Sequence, residues 1–485
     1  MATENEQPIR ISAAPAPVPY RVAQMSLQLL IYSAVMVIMV TGFAVWSSGL
    51  MNSSVRDFNR TSAFEVAEAG IEYCRWHLAH AQTDYQDGTG HAGPYVHDYT
   101  DKDGTVIGTF TLDITPPSTG STIVTIRSTG KLANDASVQK IIEVRMGIPS
   151  MAQYAVAMNA DVRFGTGTEV FGPIRSSGGI RFDGLAHNLV SSAVTTTTDP
   201  DPPYDYAWGV HTHVVPTDAA PPTPLASRPD IFMSGRKVGV PDLNFAGITQ
   251  SLSDIRVAAS SSGFYRSSST AKGYEVVFKP DSTFDLRRVA ALMSPPPGCT
   301  GTQDKWGTWS IQSSTLLGTY AIPANGLIFL EDNVWVRGQV SSTRAVVAAG
   351  AFPDTSSTWA SITVNRDLQY TNYDGRDVLG LIAQYNVNVG LNSSDTLRID
   401  AAMIAQNGRA GRYYYASNCG ESYKRTSLTL YGMIASAQRY GFAYTDGTGY
   451  QTRNIVYDSS LFYGPPPSFP LVGNQYVQLS WDEVQ

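Results

Sequence analysis

The chain has 485 residues, enough for about three packed units and too many for a single small module. Charged residues make up 15% against a usual share of about 25%, and hydrophobic residues 43%, which excludes disorder for most of the chain. Net charge is −7 and only eight of the 34 bases are lysine, so a polybasic nucleic-acid surface is excluded as well. Glycine, proline and tyrosine (42, 28 and 26) suit a turn-rich β protein.

No charge interrupts Val22 to Met51, about 30 positions that span roughly 45 Å as a helix and so exceed a bilayer core. The run is also longer than the apolar part of a removable secretory signal. Beyond it, no proline breaks Asn52 to Gln82. Ala67, Ile71, Cys74 and Leu78 recur at spacings of four, three and four, which predicts an amphipathic continuation of the same helix. Glu68 and Glu72 lie one turn apart and Glu72 can reach Arg75, so that face reads as wet.

The apolar run Leu27 to Val45, followed by Thr61-Ser62-Ala63-Phe64-Glu65-Val66-Ala67-Glu68-Ala69-Gly70-Ile71-Glu72, resembles the amino-terminal region of PilX-type minor pilins and related pseudopilins. The resemblance covers about the first 85 residues. It implies a leader (1–23) cut between Ala23 and Gln24, and a pilin-like transmembrane and amphipathic helix (24–83). It also implies assembly with other pilin subunits and the pilus assembly machinery at the cytoplasmic membrane, with the carboxy-terminal part exported. Gln28 stands where such proteins carry a glutamate, a departure shared with minor pseudopilins located at filament tips. The bases divide evenly around the span, Arg10 and Arg21 before it and Arg56 and Arg60 after it, so orientation rests on the resemblance.

Gln82 to Asp103 reads as a loop. Alternating strand patterns at Val106–Ile114, Thr122–Arg127 and Val138–Arg145 then predict a three-stranded antiparallel sheet within 84–150, packed on the second half of the helix. After Ser150 the strands shorten to three to five residues. Val162-Arg163-Phe164 recurs as Ile180-Arg181-Phe182, and Leu327-Ile328-Phe329 with Asn333-Val334-Trp335-Val336 recurs as Leu381-Ile382-Ala383 with Asn386-Val387-Asn388-Val389. Met403-Ile404-Ala405 and Met433-Ile434-Ala435 echo the first half again.

Such units of about 20 residues predict a mainly β chain ending in a β-solenoid, with a β-sandwich as the alternative. First rungs are expected at 151–186, loops and a small αβ insertion at 187–325, and the main solenoid with its cap at 326–485. In the insertion, Ile248, Leu252, Ile255 and Ala259 keep helical spacing. Val477-Gln478-Leu479-Ser480-Trp481 is expected to fold back as a final strand. Gly326–Val336, Ala401–Gly408 and Tyr450–Asn454 resemble the regions that follow PilX-like amino termini in uncharacterised bacterial envelope proteins.

Three cysteines make no disulfide framework. Cys299 and Cys419 lie in loop contexts and are the expected pair in an exported chain, although spacing alone does not fix connectivity. His211-Thr212-His213 puts two imidazoles on one strand face with no third ligand in sight, so they read as exposed strand histidines. No cofactor is expected. Calcium is the one ion the oxygen-rich turns Asp199-Pro200-Asp201 and Glu331-Asp332-Asn333 could take, and neither matches an EF-hand loop.

No hydrolase, nucleotide or metalloprotease motif occurs, and no enzyme activity is expected. A glycan-cleaving site would have to be assembled from Asp367, Asp374, Asp377 and Asp400. The aromatic residues Tyr413-Tyr414-Tyr415, Tyr440, Phe442, Tyr444, Tyr450, Tyr457, Phe462 and Tyr463 suit either the packing of a cap or a surface for glycans or proteins. The expectation is therefore a non-enzymatic, membrane-anchored surface protein, a minor pilin-like accessory subunit, with a tethered adhesin or glycan binder as the alternative.

Overall fold

The computed structural model describes residues 21–117, 121–201, 205–243, 245, 247–473 and 475–484. Most of the expected leader (1–23) lies outside them, as do the side chains of Ala23 and Gln24. Helix α1 (Arg21–His80) is continuous for 60 residues, or about 90 Å. Its residues from Met25 to Phe58 are exposed, and Gln28 lies among them. From Ala63 onward one stripe turns inward: Ala63, Val66, Ala67, Ile71, Cys74 and Leu78 are all buried. Glu68 faces water, and Glu72 pairs with Arg75 at 3.2 Å.

The stripe packs on an antiparallel sheet of β1 (Tyr95–Thr100), β2 (Val106–Thr115), β3 (Ile123–Leu132) and β4 (Gln139–Gly147), completed by the C-terminal strand Val477–Val484. Two of these five strands were not expected there. β1 lies in the predicted loop because its inward row is Tyr95, His97 and Tyr99, a polar-looking pattern that still packs. The His97 ring sits 4.5 Å from Tyr73 and 5.2 Å from Phe110. The strand 477–484 does fold back, but onto β4 of this sheet and not onto the repeats. Its side chains find partners there: Trp481 lies 5.6 Å from Phe64, and Glu483 pairs with Lys140.

Among the described residues, the chain between β4 and that strand is mainly one coil of parallel strands, inserted into the small sheet. Each turn adds a strand to each of three ladders, the arrangement of a β-solenoid. One ladder runs, in spatial order, through 264–266, 327–330, 344–349, 378–383, 402–405, 434–436, 156–158, 174–176, 190–192 and 236–237. The chain therefore joins the stack in its middle. It climbs to one end by 237, crosses to the other end, and descends until 434–436 meets 156–158.

The 18-residue repeat is one turn: Val162, Arg163 and Phe164 pair with Ile180, Arg181 and Phe182. The Met-Ile-Ala echo is stacked differently. Met403 lies beside Ile434, one residue out of the register that matching Met403 to Met433 implies. Such a slip exchanges the inner and outer face of a strand, and both faces are apolar here. Ile328, Val347, Leu381, Met403 and Ile434 fill the interior. Phe329, Val346, Ile382, Ile404 and Met433 point outward and are covered by helix α2 (Gly247–Ser262), through Leu252, Ile255 and Ala259, and by Met151, Leu461 and Phe469.

Coil strands at 190–192, 210–211 and 236–237 lie in the span expected to be loops, so the first rungs run well beyond 186. Within the expected αβ insertion, 273–278 is itself a ladder strand paired with 334–338, while α2 and the antiparallel arm 283–292 with 311–321 depart from the coil.

Candidate functional site

The residues singled out as paired carboxylates or calcium ligands are held by local bonds. Asp377 accepts from the backbone N–H groups of Thr343, Thr371 and Asn372, and Asp400 accepts from Tyr370 N and the Tyr373 hydroxyl while pairing with Arg398. Asp374 pairs with Arg376, and Asp367 accepts from Arg398 N. Asp332 takes the N–H and hydroxyl of Ser269, Glu331 pairs with Arg256, and Asn333 accepts from Ser361 N. Each is a turn or ladder device.

Half of the aromatic cluster is interior: Tyr413, Tyr415, Tyr440, Phe442 and Tyr450 are buried. Tyr415 and Tyr450 flank the Arg412 guanidinium, which is itself fully buried and donates to the carbonyls of Gly390, Leu391 and Ser422 and to Ser393 Oγ. Burial pulls Arg412 down to about 10. Beside it, a disulfide joins Cys299 to Cys419 and ties the 293–310 crossing to the Tyr413–Tyr415 segment.

Two features do converge. The 438–451 loop overhangs the first turns of the coil and leaves a cavity of about 950 Å³. Its walls carry the guanidinium groups of Arg163, Arg181, Arg409, Arg439 and Arg453 against the single carboxylate of Asp183. Arg453 is fixed by the carbonyls of Thr166, Tyr450 and Gln451, and Arg409 by the Arg412 carbonyl.

Behind Arg163 and Arg181 lies the second feature. Asp199, His211 and His213 offer ligand atoms within 4.8 Å of one another. The histidines are not the exposed pair expected from sequence, since His211 is 2% exposed. The missing third group, Asp199, ends the strand 196–198 that pairs antiparallel with 206–208, and that hairpin folds it back onto 210–211. Asp199 Oδ1 is taken by Arg163 Nη2 at 3.3 Å and by Asp201 N at 3.1 Å. Oδ2 faces His211 Nε2 at 2.9 Å and His213 Nε2 at 3.3 Å. Burial raises the Asp199 carboxyl, but the hydrogen bond from His211 and the neighbouring charges outweigh it and hold it below its ordinary value. His213 is pushed down, first by burial and then by the Arg181 charge, against the pull of Asp199.

No family model and no curated protein matches the chain. Among solved structures, the chain is similar to the competence-associated pilin ComZ from Thermus thermophilus, at 12% identity and a TM-score of 0.29. The match covers 88% of this chain and 97% of that one. A superposition of that quality carries no argument about this chain, and the ladders described above stand on their own.

Proposed function

We propose that the chain is a pilin-like surface protein, a minor accessory subunit of a type IV pilus or related secretion filament that displays the coil outside the cell. The reading is carried by α1. From Met25 to Met51 it is uncharged, apolar and exposed along more than a bilayer's thickness, and the same unbroken helix docks its later turns on an antiparallel sheet. A helix that was only a membrane anchor has no need of that continuation. In a filament, the exposed half would pack against equivalent helices of neighbouring subunits. Ala23, Gln24 and Gln28 keep the roles the resemblance implies.

Mass spectrometry of the amino-terminal peptide, from sheared surface filaments and separately from membranes, tests this. A mature chain beginning at Gln24 in the sheared fraction is expected. A chain confined to membranes and still carrying the residues before Gln24 would overturn it. A tethered binder outside any filament is the second reading, and the arginine-lined cavity favours it. That reading predicts retention of anionic glycans by the parent and loss of retention in Arg439→Ala, whose side chain is exposed in the cavity wall.

A further inference from the structure

The geometry points to a divalent transition-metal site, best suited to zinc, formed by Asp199, His211 and His213 at the edge of the coil. Three donors of the types zinc prefers, two imidazole nitrogens and one carboxylate oxygen, meet at one place from a 15-residue stretch. Tetrahedral zinc holds its ligand atoms about 3.4 Å apart, from bonds of roughly 2.0 to 2.1 Å. The carboxylate to imidazole separations of 2.9 and 3.3 Å reach that value with small side-chain rotations.

A second observation, independent of proximity, comes from the outer side of His211. Its Nδ1 lies 2.8 Å from the Trp208 carbonyl and must donate to it. A neutral ring would then present its Nε2 lone pair to Asp199 Oδ2, two acceptors facing each other at 2.9 Å, whereas an imidazolium donates there. A cation between them resolves the conflict. A backbone carbonyl on the far nitrogen is also the usual support of a metal-bound imidazole, since it fixes tautomer and ring direction. An imidazolium bridging to the carboxylate would satisfy the pair as well, and metal titration separates the two states.

Charge around the site is compatible. Within ion-pair distance the carboxylates of Asp183, Asp199 and Asp201 outnumber the guanidinium groups of Arg163 and Arg181. Asp199 Oδ1, held by Arg163 and Asp201 N, keeps the carboxylate oriented with Oδ2 toward the imidazoles. Asp183 accepts from His213 N and holds the second imidazole's backbone in place. Bound metal would clamp the paired strands 196–198 and 206–208 to the turn of the coil that carries 210–211.

The test uses the full chain in detergent, stripped with a chelator and titrated with Co²⁺ and then Zn²⁺. One equivalent of cobalt with the visible bands of low coordination number is expected, bleached by one equivalent of zinc, together with a zinc-dependent rise in Tm. His211→Gln and His213→Gln should each abolish the bands while keeping the circular dichroism of the parent. Absence of bands in the parent, or bands that persist in both variants, would overturn the site. If the variants fail to fold, zinc-edge X-ray absorption of the parent decides: two imidazole ligands support the assignment, and none or one refutes it.

Discussion

At Gly130 the backbone of β3 lies close against that of α1, and replacing it by alanine tests whether that contact holds the helix in place. A Cβ built on Gly130 would stand 2.2 Å from the Ala63 carbonyl oxygen, 2.4 Å from Ala67 N and 3.0 Å from Ala67 Cα. All three are helix backbone, so no side chain can swing away. Restoring an ordinary contact of about 3.4 Å requires the helix to lift by about 1.2 Å, which loosens Ala63, Val66, Ala67 and Ile71, all buried at this interface. Overpacking of this kind costs about 1 to 3 kcal/mol. For a unit of about 100 residues, the span 60–147 with 477–484, that lowers Tm by roughly 5 to 20 °C. Calorimetry of the detergent-solubilised chain reads the shift, with Gly473→Ala, which meets nothing within 4 Å, as the control. A Gly130→Ala protein melting within about 1 °C of the parent would refute the reasoning.

Other perturbations reach the remaining parts of the molecule. Truncation after Gly473 removes the strand on β4 together with the Trp481 to Phe64 and Glu483 to Lys140 contacts; light scattering should show self-association through the bared β4 edge, and a monodisperse, equally stable product would contradict the sheet order. Arg412→Met strands the buried carbonyls of Gly390, Leu391 and Ser422 and should cost about 3 to 5 kcal/mol in denaturant unfolding, with a loss under about 1 kcal/mol counting against it. Cys299→Ser with Cys419→Ser opens a loop of 120 residues, worth about 5 kcal/mol on the chain-entropy account and measurable as a fall in denaturation midpoint. Tyr440, buried and pushed up to about 12, keeps its proton in the folded state above the ordinary value of 10, so its contribution is complete below pH 10 and is lost between 10 and 12; tyrosinate absorbance should rise together with loss of circular dichroism in that window.

Local pattern is what the sequence makes legible. The uncharged run marks the exposed apolar part of α1, while the stripe Ala67, Ile71, Cys74 and Leu78 and the alternation in β2, β3 and β4 report burial of residues near one another in the chain. All five elements stand where those patterns put them. The turn of 18 residues at Val162 and Ile180 was equally visible because consecutive turns repeat. Pairing between distant segments leaves no such mark. Strand 378–383 is buried on both faces, so its composition says that it is covered but not by what, and Pro466, which stands against Gly380, comes from more than 80 residues away. The Asp199, His211 and His213 cluster was half visible for the same reason. His211 and His213 share a motif, whereas Asp199 reaches them only because Thr196–Thr198 folds onto Tyr206–Trp208.

Inserting the coil between β4 and the C-terminal strand gives the small sheet an unusual closing condition. Lys140 and Glu483 are 343 residues apart, and the strand that completes the sheet is the last one in the chain. Joining ends across a flexible loop of that length would carry a closure entropy that grows as about (3/2)RT ln n. The folded coil removes most of it. Because the chain joins and leaves the stack at the same turn, Met151 N donates to the Pro470 carbonyl, Val472 N donates to the Pro149 carbonyl, and Ser150 bridges Leu471. The two crossings thus leave the coil already paired, and the effective loop closed by the last strand shrinks from hundreds of residues to the few between this bridge and β4. Sheet completion is therefore conditional on meeting of the two coil runs at 156–158 and 434–436. Val156→Asp, which puts a charge in the interior of that junction, should deprotect the amides of Val477–Val484 in hydrogen exchange although it touches neither β4 nor the strand. Unchanged protection there would show that the sheet closes independently of the coil.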